Sequence, residues 1–350
     1  MNRRPFVSIV IPNYNGKNDL RNCLQSLRKL KFREKEVIVV DSGSTDGSAQ
    51  MVCEEFPEVR LIKTGKMGIG EANNLGIEAA KGDIIVFDLN SDDVVDEDWL
   101  THLIKSIEAS PHVGIVCGKR LLKGYDRILD SAGASIHFFT GTVPAIGRGK
   151  RDSAHYNVMK EVDYVAVPMV KREVFEKIGL CDPEYYLYYE ETDFCLRAKK
   201  AGYKILYVPS AVFWHRRSTS IGKQNPRKHY YERRNRIRFI LKNFPSSILV
   251  LPAIFHVFFM TLFYTFYYFF KADFRYFKSE KNAILWNYKN LRKTIQARYS
   301  INIQRWYAMK ENKKREITLK EIFTLENIIY QEKLEDNLSR VGKTESYIFA

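Results

Sequence analysis

The stretch Ile-Ile-Val-Phe-Asp-Leu-Asn-Ser-Asp-Asp, residues 84–93, passes from an apolar run into a cluster of polar and acidic residues. The apolar part predicts a buried strand, so the acidic part is expected at the carboxyl end of that strand. Crowded carboxylates repel one another, and a divalent cation with a bound diphosphate removes that repulsion. Taken alone, an Asp-rich turn that caps a helix is the simpler explanation, so the flanking sequence has to decide.

Apolar runs alternate with helix-like segments on both sides of this stretch. Strands are predicted at residues 7–11, 37–40, 59–62 and 84–89, with helices at 18–27, 70–80, 98–110, 172–178 and 191–201. This alternation predicts an α/β fold whose mostly parallel sheet is flanked by helices. Ligands of such sheets bind beyond the carboxyl ends of the strands, where the polar clusters of this sequence are expected.

The chain has 350 residues and a formal net charge of +15. This length predicts one large domain with an appendage, or two domains. The basic residues concentrate between positions 223 and 315, around an uncharged run at 244–270, a pattern that favours anionic lipid headgroups. We exclude nucleic acid as a partner, because the apolar run has no place on a duplex or a single strand.

The uncharged run at 244–270 is long enough to cross a hydrocarbon core of about 30 Å. A buried core helix is the alternative, but a run this long and aromatic is typical of a membrane segment. Cations flank it on both sides, and Pro252 fits a re-entrant hairpin as well as a span. Helical spacing of apolar and basic residues at 284–295 then predicts an interfacial helix, and therefore C-terminal membrane-associated helices. The predicted division is 1–240, 241–275 and 276–350.

The cysteines and the N-terminal residues indicate the cellular compartment of the protein. Five cysteines occur without a Cys-x-x-Cys pair, and an odd number cannot all pair within one chain, so a reducing cytoplasm is expected. Residues 1–4 lead directly into a predicted strand without a cleavage site, so no secretory signal is expected. The prediction is a protein at the cell membrane with its catalytic domain on the cytoplasmic side.

Two motifs point to a nucleotide ligand. Asp41 ends the second predicted strand, where a carboxylate can accept a hydrogen bond from a pyrimidine imide. Glycines at positions 65, 68 and 70 lead into a helix start, where free backbone amides suit phosphate oxygens. The loop has no Walker pattern, so nucleoside-triphosphate hydrolysis is disfavoured.

Two further motifs carry acid–base and ligand chemistry. Glu190 and Glu191 follow a tyrosine-rich segment; they could satisfy the dipole of the helix that follows, or act as a general base toward a hydroxyl. His215 ends another strand-like run, and it could be a packed polar residue or could complete an Asp/His cation site.

Taken together, these motifs resemble those of the family two inverting glycosyltransferases, over about residues 5–240. The resemblance implies the A-type nucleotide-diphospho-sugar transferase fold, a nucleotide-sugar donor and a divalent cation, Mg²⁺ or Mn²⁺. It is carried by Val-Ser-Ile-Val-Ile-Pro-Asn-Tyr-Asn (7–15), Val-Asp-Ser-Gly-Ser-Thr-Asp-Gly-Ser (40–48), Ala-Asn-Asn-Leu-Gly (72–76), Asn-Ser-Asp-Asp (90–93) and Glu-Glu-Thr-Asp-Phe-Cys-Leu-Arg (190–197).

The resemblance also implies a set of donor-binding residues. It places the nucleobase and ribose on the first two strands and the diphosphate or donor sugar near the glycine-rich loop. An arginine near the end of the transferase domain would meet the diphosphate. The residues implied are Pro12, Tyr14, Asp41, Gly70, Asn74, Asn90 and Arg234.

The cation ligands and the base follow from the same resemblance. Asp92 is the implied direct ligand and His215 a second one, while Asn90 replaces the first acid of the Asp-x-Asp pattern, as in the rhamnosyltransferase-like branch. Glu191 falls at the position of the base, usually an Asp, and its extra methylene leaves Glu190 as a substitute. Residues 165–169 lack the usual small Ser-Gly-Ala stretch, which leaves the acceptor geometry open.

The sequence and this resemblance predict a membrane-associated, metal-dependent, inverting glycosyltransferase. It would move a sugar from a UDP- or dTDP-type donor to a hydroxyl of a glycan or lipid-linked acceptor, in cell-surface polysaccharide or glycoprotein glycan assembly. Two alternatives stay open: a polyprenyl-phosphate sugar synthase, whose anionic acceptor needs no base, and a catalytically silent membrane scaffold. Processive synthesis is disfavoured because no Gln-x-x-Arg-Trp motif occurs.

Overall fold

The computed structural model describes residues 4–217, 225–244 and 247–298, without the side chains of residues 247–249. One compact unit extends from Met1 to Thr294. The predicted tail beyond residue 298 lies outside the described residues, and the predicted division at 240 and 275 stays a prediction.

The described residues form one mixed sheet. Its strands are β1 (Val7–Asn13), β2 (Lys35–Asp41), β3 (Arg60–Lys63), β4 (Ile84–Val86), β5 (Asp93–Val95), β6 (Val113–Leu122), β7 (Leu129–Ser131), β8 (Lys160–Glu161), β9 (Met169–Lys171) and β10 (Lys204–His215). The strand order is β3-β2-β1-β4-β9-β6-β10-β5. β2, β1 and β4 run parallel to one another, as the alternation of strands and helices predicts, whereas β9 and β5 run antiparallel to their neighbours.

Helices lie between these strands and continue past the last of them. They are α1 (Lys17–Arg28), α2 (Ser48–Glu55), α3 (Ile69–Ala79), α4 (Trp99–Ile107), α5 (Arg172–Ile178), α6 (Glu190–Lys200), α7 (Pro226–Asn243), α8 (Ser247–Phe270) and α9 (Phe274–Lys289). The predicted α/β class is confirmed.

The main core lies between the sheet and its helices. Ile9, Ile11 and Val39 are fully buried, which explains why these strands read as continuous apolar runs rather than as alternating ones. Each such side chain stabilises the fold by about 1.5–3 kcal/mol through burial. The core therefore fixes the carboxyl ends of β1 and β2, where Asn13 and Asp41 lie.

A register shift in β10 determines where that strand ends. Val208 pairs with Gly118 of β6, and the next pair along is Val212 with Lys119. The carbonyl of Ala211 fills the space beside Gly118, where a Cβ would lie 2.0 Å from its oxygen. Beyond the shift, β10 pairs antiparallel with β5, and His215 stands opposite Asp93.

Helix α8 has two different sides. Its inner side, with Ala253 and Val257, is buried in a second apolar cluster that includes Phe239 and Ile240 of α7. Its outer side is a row of exposed apolar side chains; it comprises Leu251, Phe255, Phe258, Phe259, Leu262, Phe263, Phe266, Tyr267, Phe269 and Phe270. By length and composition, Val250–Phe270 could cross a membrane, and only a minor part of it is buried.

Candidate active site

Asp92 and His215 meet because β5 and β10 are paired. The Asp92 carboxylate precedes β5, and His215 stands opposite Asp93 at the end of β10. Nε2 of His215 lies 3.3 Å from Oδ2 of Asp92. Potential ligand atoms of Asp92, Asp93 and His215 all lie within 4.8 Å of one another. The structure thus brings together the two residues that the sequence suggests as cation ligands.

Asp93 belongs to a buried ion pair. Its carboxylate accepts two hydrogen bonds from Nη2 of Arg120, at 2.8 and 3.0 Å, and a third from Nε at 3.2 Å. Both side chains are almost completely buried, and burial of one charge without the other would be costly. Because Arg120 already neutralises Asp93, Asp92 and His215 are the better candidates for direct ligands.

Asp130 fixes the orientation of the His215 ring. Oδ2 of Asp130 lies 2.8 Å from Nδ1 of His215, and Oδ1 accepts a hydrogen bond from Arg217 at 2.7 Å. Burial and the nearby Arg120 act to lower the pKa of His215, but the hydrogen bonds to Asp130 and Asp92 outweigh them and raise it. A carboxylate on Nδ1 leaves Nε2 directed at Asp92, which is the arrangement of a metal-binding histidine.

The donor atoms of this cluster fit a divalent cation. Carboxylate oxygens suit both Mg²⁺ and Mn²⁺, and an imidazole nitrogen is better suited to Mn²⁺ than to Mg²⁺. Asn90 lies at the start of the same turn, and its backbone N–H donates to Oδ2 of Asp93 at 3.1 Å. This bond holds the Asn90–Asp93 turn closed; the predicted role of the Asn90 side chain at the cation stays a prediction.

A second acidic cluster contains Asp88, Glu190 and Glu191. Potential ligand oxygens of the three carboxyl groups lie within 4.8 Å of one another. Tyr164 donates a hydrogen bond of 2.7 Å to Oε1 of Glu191, and Asn73 donates one of 3.0 Å to Asp88. Oε2 of Glu190 and Oε2 of Glu191 are buried and have no hydrogen-bond partner among the described residues.

The three carboxyl groups hold protons more tightly than free side chains do. Burial and the charge of Glu191 raise the pKa of Asp88, and burial with both neighbours raises the pKa of Glu190. Burial also raises the pKa of Glu191, although the Tyr164 hydrogen bond acts in the opposite direction. A carboxyl group with a raised pKa and a hydrogen-bonded hydroxyl beside it can serve as a general base.

The tyrosine-rich loop before α6 is held in an unusual backbone conformation. Tyr186, Tyr188 and Tyr189 have φ values of 61°, 67° and 73°. Such values cost free energy in residues other than glycine and need support from neighbouring groups. Nδ2 of Asn235 supplies it, because it donates to the carbonyls of Tyr185, Leu187 and Tyr188.

Arg234 supports the same loop. Its Nη2 donates to the carbonyls of Glu184 and Tyr185, and its guanidinium lies 4.3 Å from the ring of Trp286 in α9. The side chain is buried, and through these hydrogen bonds it positions the loop that precedes Glu190. Its predicted contact with a diphosphate stays a prediction.

The predicted nucleobase side lies at the ends of β1 and β2. Asp41 is buried and accepts hydrogen bonds from Nδ2 of Asn13 at 2.8 Å and from Oγ of Ser44 at 2.6 Å. Pro12 is buried in β1, whereas the ring of Tyr14 is about half exposed, with Nζ of Lys66 5.1 Å from its centre. The exposed ring can stack on a nucleobase. The buried carboxylate beside it can accept a hydrogen bond from the edge of that nucleobase.

The glycine-rich loop reaches the second acidic cluster. A Cβ on Gly70 would lie 3.5 Å from Cβ of Glu190, so the start of α3 packs against the start of α6. Asn74 donates to the carbonyl of Cys181 at 2.9 Å and accepts from its N–H at 2.9 Å, which ties α3 to the segment before α6. These contacts bring the predicted phosphate loop and the predicted base to one site.

Comparison with known proteins identifies the family of the segment that contains most strands of the sheet. The family model described as glycosyl transferase family 2 matches residues 8–178. Residues 8–178 form a family 2 glycosyltransferase domain. The domain includes Asp41, Asp88 and Asp92, whereas Glu191 and His215 follow the matched segment.

Relatives of the glycosyltransferase domain include two curated proteins. The glycosyltransferase GlyA of Streptococcus pneumoniae is 33% identical over 105 residues, which are 29% of this chain and 15% of GlyA. A poly-beta-1,6-N-acetyl-D-glucosamine synthase of Staphylococcus epidermidis is 25% identical over 214 residues, 59% of this chain and 49% of the synthase. The matched segments span only 15–29% of the length of the first three curated relatives.

A solved structure shows the same fold. A mannosyltransferase from Pyrobaculum calidifontis, in complex with GDP-Man and Mn²⁺, is 16% identical and covers 89% of each chain with a TM-score of 0.50. The A-type fold that the sequence predicts is therefore confirmed for the glycosyltransferase domain.

Sequence reasoning missed three residues that shape the site of the glycosyltransferase domain. The predicted strand at 84–89 includes Asp88, and an acid inside such an apolar run is itself a signal. Asp130 follows Ile128 and Leu129, again as a lone acid after apolar residues. Tyr164 had no detectable signal, because its contact with Glu191 joins positions far apart in the chain.

Proposed function

We propose that the chain is a membrane-associated inverting glycosyltransferase that moves a sugar from a nucleotide-diphosphate donor to a hydroxyl of a lipid-linked or glycan acceptor. The donor would be of the UDP or dTDP type, and the product would enter cell-surface polysaccharide or glycoprotein glycan assembly. One observation carries this proposal: Asp92 and His215 are in contact, and Arg120 acts electrostatically both on His215 and on Glu191 of the second acidic cluster.

Glu191 would act as the base of this reaction. Its carboxylate takes the proton of the acceptor hydroxyl while that oxygen forms a bond to the anomeric carbon. The bond from the anomeric carbon to the diphosphate breaks on the opposite face, and the diphosphate leaves with the electron pair, so the configuration inverts. Tyr164 holds one oxygen of Glu191, and this leaves the unpartnered Oε2 for the hydroxyl.

Asp92 and His215 would hold the divalent cation, Mg²⁺ or Mn²⁺. When bound, the cation offsets the negative charge that develops on the departing diphosphate. Asp130 keeps the His215 ring in its orientation, and Arg120 keeps Asp93 out of the ligand set. The Mn²⁺ in the mannosyltransferase structure supports the assignment by analogy.

The outer side of α8 supports membrane association. The inner side of α8 packs along α7, and at its far end the ring of Tyr264 lies 4.5 Å from the guanidinium of Arg233. Arg233 pairs with Glu280 of α9 at 3.0 Å. A spanning α8 would draw these charges into hydrocarbon at a cost of several kcal/mol. We therefore propose that α8 lies along the membrane surface, as a monotopic anchor.

The cytoplasmic side of the cell membrane is part of this proposal. All five cysteines are free, as a reducing compartment requires. Replacement of Phe255, Phe259 and Phe263 by Ser should move the protein from the membrane to the soluble fraction. Tyr125→Ser, which changes an exposed ring in the segment between β6 and β7, should leave the distribution unchanged.

Glu191→Gln tests the chemistry. The amide keeps the shape of the side chain but cannot take a proton, so transfer should fall by at least about a hundredfold while donor binding stays intact. The exposed Glu173→Gln is the matched control. Near-normal transfer by Glu191→Gln would favour the polyprenyl-phosphate sugar synthase, whose acceptor is already an anion.

Asp92→Ala tests the catalytically silent scaffold. If the chain is an enzyme, this change should abolish the cation dependence of nucleotide binding, measured by titration calorimetry with and without Mn²⁺. Nucleotide binding that never depended on a cation in the unaltered protein would favour the scaffold.

A further inference from the structure

A cleft of about 450 Å³ lies between α7 and α9, outside the two acidic clusters. Arg227 and Tyr230 line it from α7, and Trp286 and Lys289 line it from α9. Among the described residues, neither Arg227 nor Lys289 has a carboxylate within ion-pair distance. The cleft therefore combines two cations that lack counter-charges with two aromatic rings.

This composition favours an organic anion. A phosphate or diphosphate group can accept hydrogen bonds from an arginine and a lysine together. Trp286 and Tyr230 offer apolar surface beside those cations, so the occupant carries an apolar part next to its charge.

A continuous stripe of side chains leads from the cleft to the proposed membrane face. Helical spacing places Phe274, Lys278, Lys281, Leu285 and Tyr288 on one exposed side of α9. Leu285 lines the cleft at one end of this stripe. At the other end, the ring of Phe274 lies 6.5 Å from that of Phe269, which belongs to the exposed outer side of α8. An alkyl chain can follow this stripe while the two lysines stay at the level of lipid headgroups.

The cleft also touches the loop that carries the proposed base. Nη2 of Arg227 lies 3.4 Å from the hydroxyl of Tyr186, and the rings of Tyr186 and Tyr231 are stacked at 5.2 Å. The carbonyl of Tyr186 accepts a hydrogen bond of 2.7 Å from the N–H of Ile69, at the start of α3. A ligand in the cleft is thus separated from the glycine-rich loop by one tyrosine.

We propose that this cleft binds the phosphate or diphosphate head of a lipid acceptor, with Arg227 and Lys289 on the phosphate oxygens and the hydrocarbon chain along the α9 stripe. This assignment rests on the proposed function and gives it a defined acceptor site. The acceptor's phosphate is held beside Tyr186, and the sugar or hydroxyl attached to it extends toward Glu191.

The test measures binding of the full-length protein to lipid vesicles. The probes are phosphatidylcholine vesicles that contain a polyprenyl phosphate and matched vesicles that contain phosphatidylglycerol instead. The variant Arg227→Gln with Lys289→Gln should weaken binding to polyprenyl phosphate by about tenfold or more. The control, Lys271→Gln with Arg275→Gln, removes the same charge from exposed positions outside the cleft and the stripe, and should weaken binding to both kinds of vesicle equally.

Three results would overturn the proposal. The first is equal affinity of the unaltered protein for both kinds of vesicle. The second is an equal loss of affinity in the two double variants. The third is displacement of the polyprenyl phosphate vesicles by inorganic pyrophosphate or UDP at similar concentrations, which would make the cleft a site for free phosphates.

One further variant and two further measurements separate loss of the cleft from loss of folding and from failure of the proposed function. The change Leu285→Glu places a carboxylate at the mouth of the cleft without altering either cation, and it should also weaken binding to polyprenyl phosphate. The thermal midpoint of each variant shows whether it folds. Release of nucleoside diphosphate from a donor by the unaltered protein tests the proposed function by itself, independently of the vesicle result.

Discussion

Oδ2 of Asp130 lies 2.8 Å from Nδ1 of His215, while Nε2 of the same ring lies 3.3 Å from Asp92. One imidazole therefore joins a buried acid on β7 to the acidic turn that precedes β5. Metal-binding histidines commonly show this carboxylate partner on the second ring nitrogen. Asp130 thus acts on the proposed cation site although it is not one of its ligands.

Asp130→Asn should weaken the binding of Mn²⁺ by about 10- to 100-fold. The amide removes a carboxylate charge that lies close to both Arg120 and Arg217, so net positive charge increases beside the cation. Electron paramagnetic resonance of free Mn²⁺ measures the affinity without any substrate. The exposed Asp126→Asn is the control, and an unchanged affinity in Asp130→Asn would contradict this role.

Tyr164→Phe should move the acidic limb of the pH profile of kcat/KM to higher pH. Glu191 has to be ionised to accept a proton, so activity is lost as the pH falls through its pKa. Burial already raises that pKa, and the Tyr164 hydrogen bond opposes the rise. Loss of the bond raises the pKa further. The exposed Tyr125→Phe should leave the profile unchanged, and a shift to lower pH would contradict the proposed contact.

Glu190→Gln should stabilise the folded protein at neutral pH, by roughly 1–3 kcal/mol. Burial and its two acidic neighbours raise the pKa of Glu190 in the folded state. The folded state therefore opposes ionisation, and stability is lost as the pH rises from the unfolded pKa toward the raised folded value.

Urea denaturation at several pH values measures the gain in Glu190→Gln. The gain should vanish below the ordinary pKa of a glutamate, where both states are protonated. The exposed Glu173→Gln should show no such dependence. A gain that stays constant over the whole pH range would show that the charge of Glu190 is not its cause.

Gly118→Ala should destabilise the fold by about 3 kcal/mol. The added Cβ would lie 2.0 Å from the carbonyl oxygen of Ala211, and backbone atoms there cannot move without changing the register of β10. Because that register places His215, Mn²⁺ affinity should fall as well. Gly65→Ala, which has open space around it, is the control for urea denaturation and for Mn²⁺ binding.

The sequence was informative wherever a local pattern determines structure. Apolar runs such as the one at 7–11 predict strands of the sheet, and the resemblance to family two glycosyltransferases brings Asp92 and His215 into one hypothesis. Sequence patterns did not predict the contacts between segments that lie far apart in the chain. The register shift at Ala211, the Asp130–His215 bond and the support of the tyrosine loop by Asn235 depend on tertiary contacts, and no short stretch of sequence encodes them.

The proposed attachment of α8 to a bilayer has a kinetic consequence. An enzyme held on a bilayer encounters a lipid acceptor by diffusion in two dimensions. Its rate then follows the mole fraction of the acceptor among the surrounding lipids, and dilution with inert phospholipid slows turnover even when the total amount of acceptor is constant. Assays in detergent therefore measure micelle composition as much as catalysis.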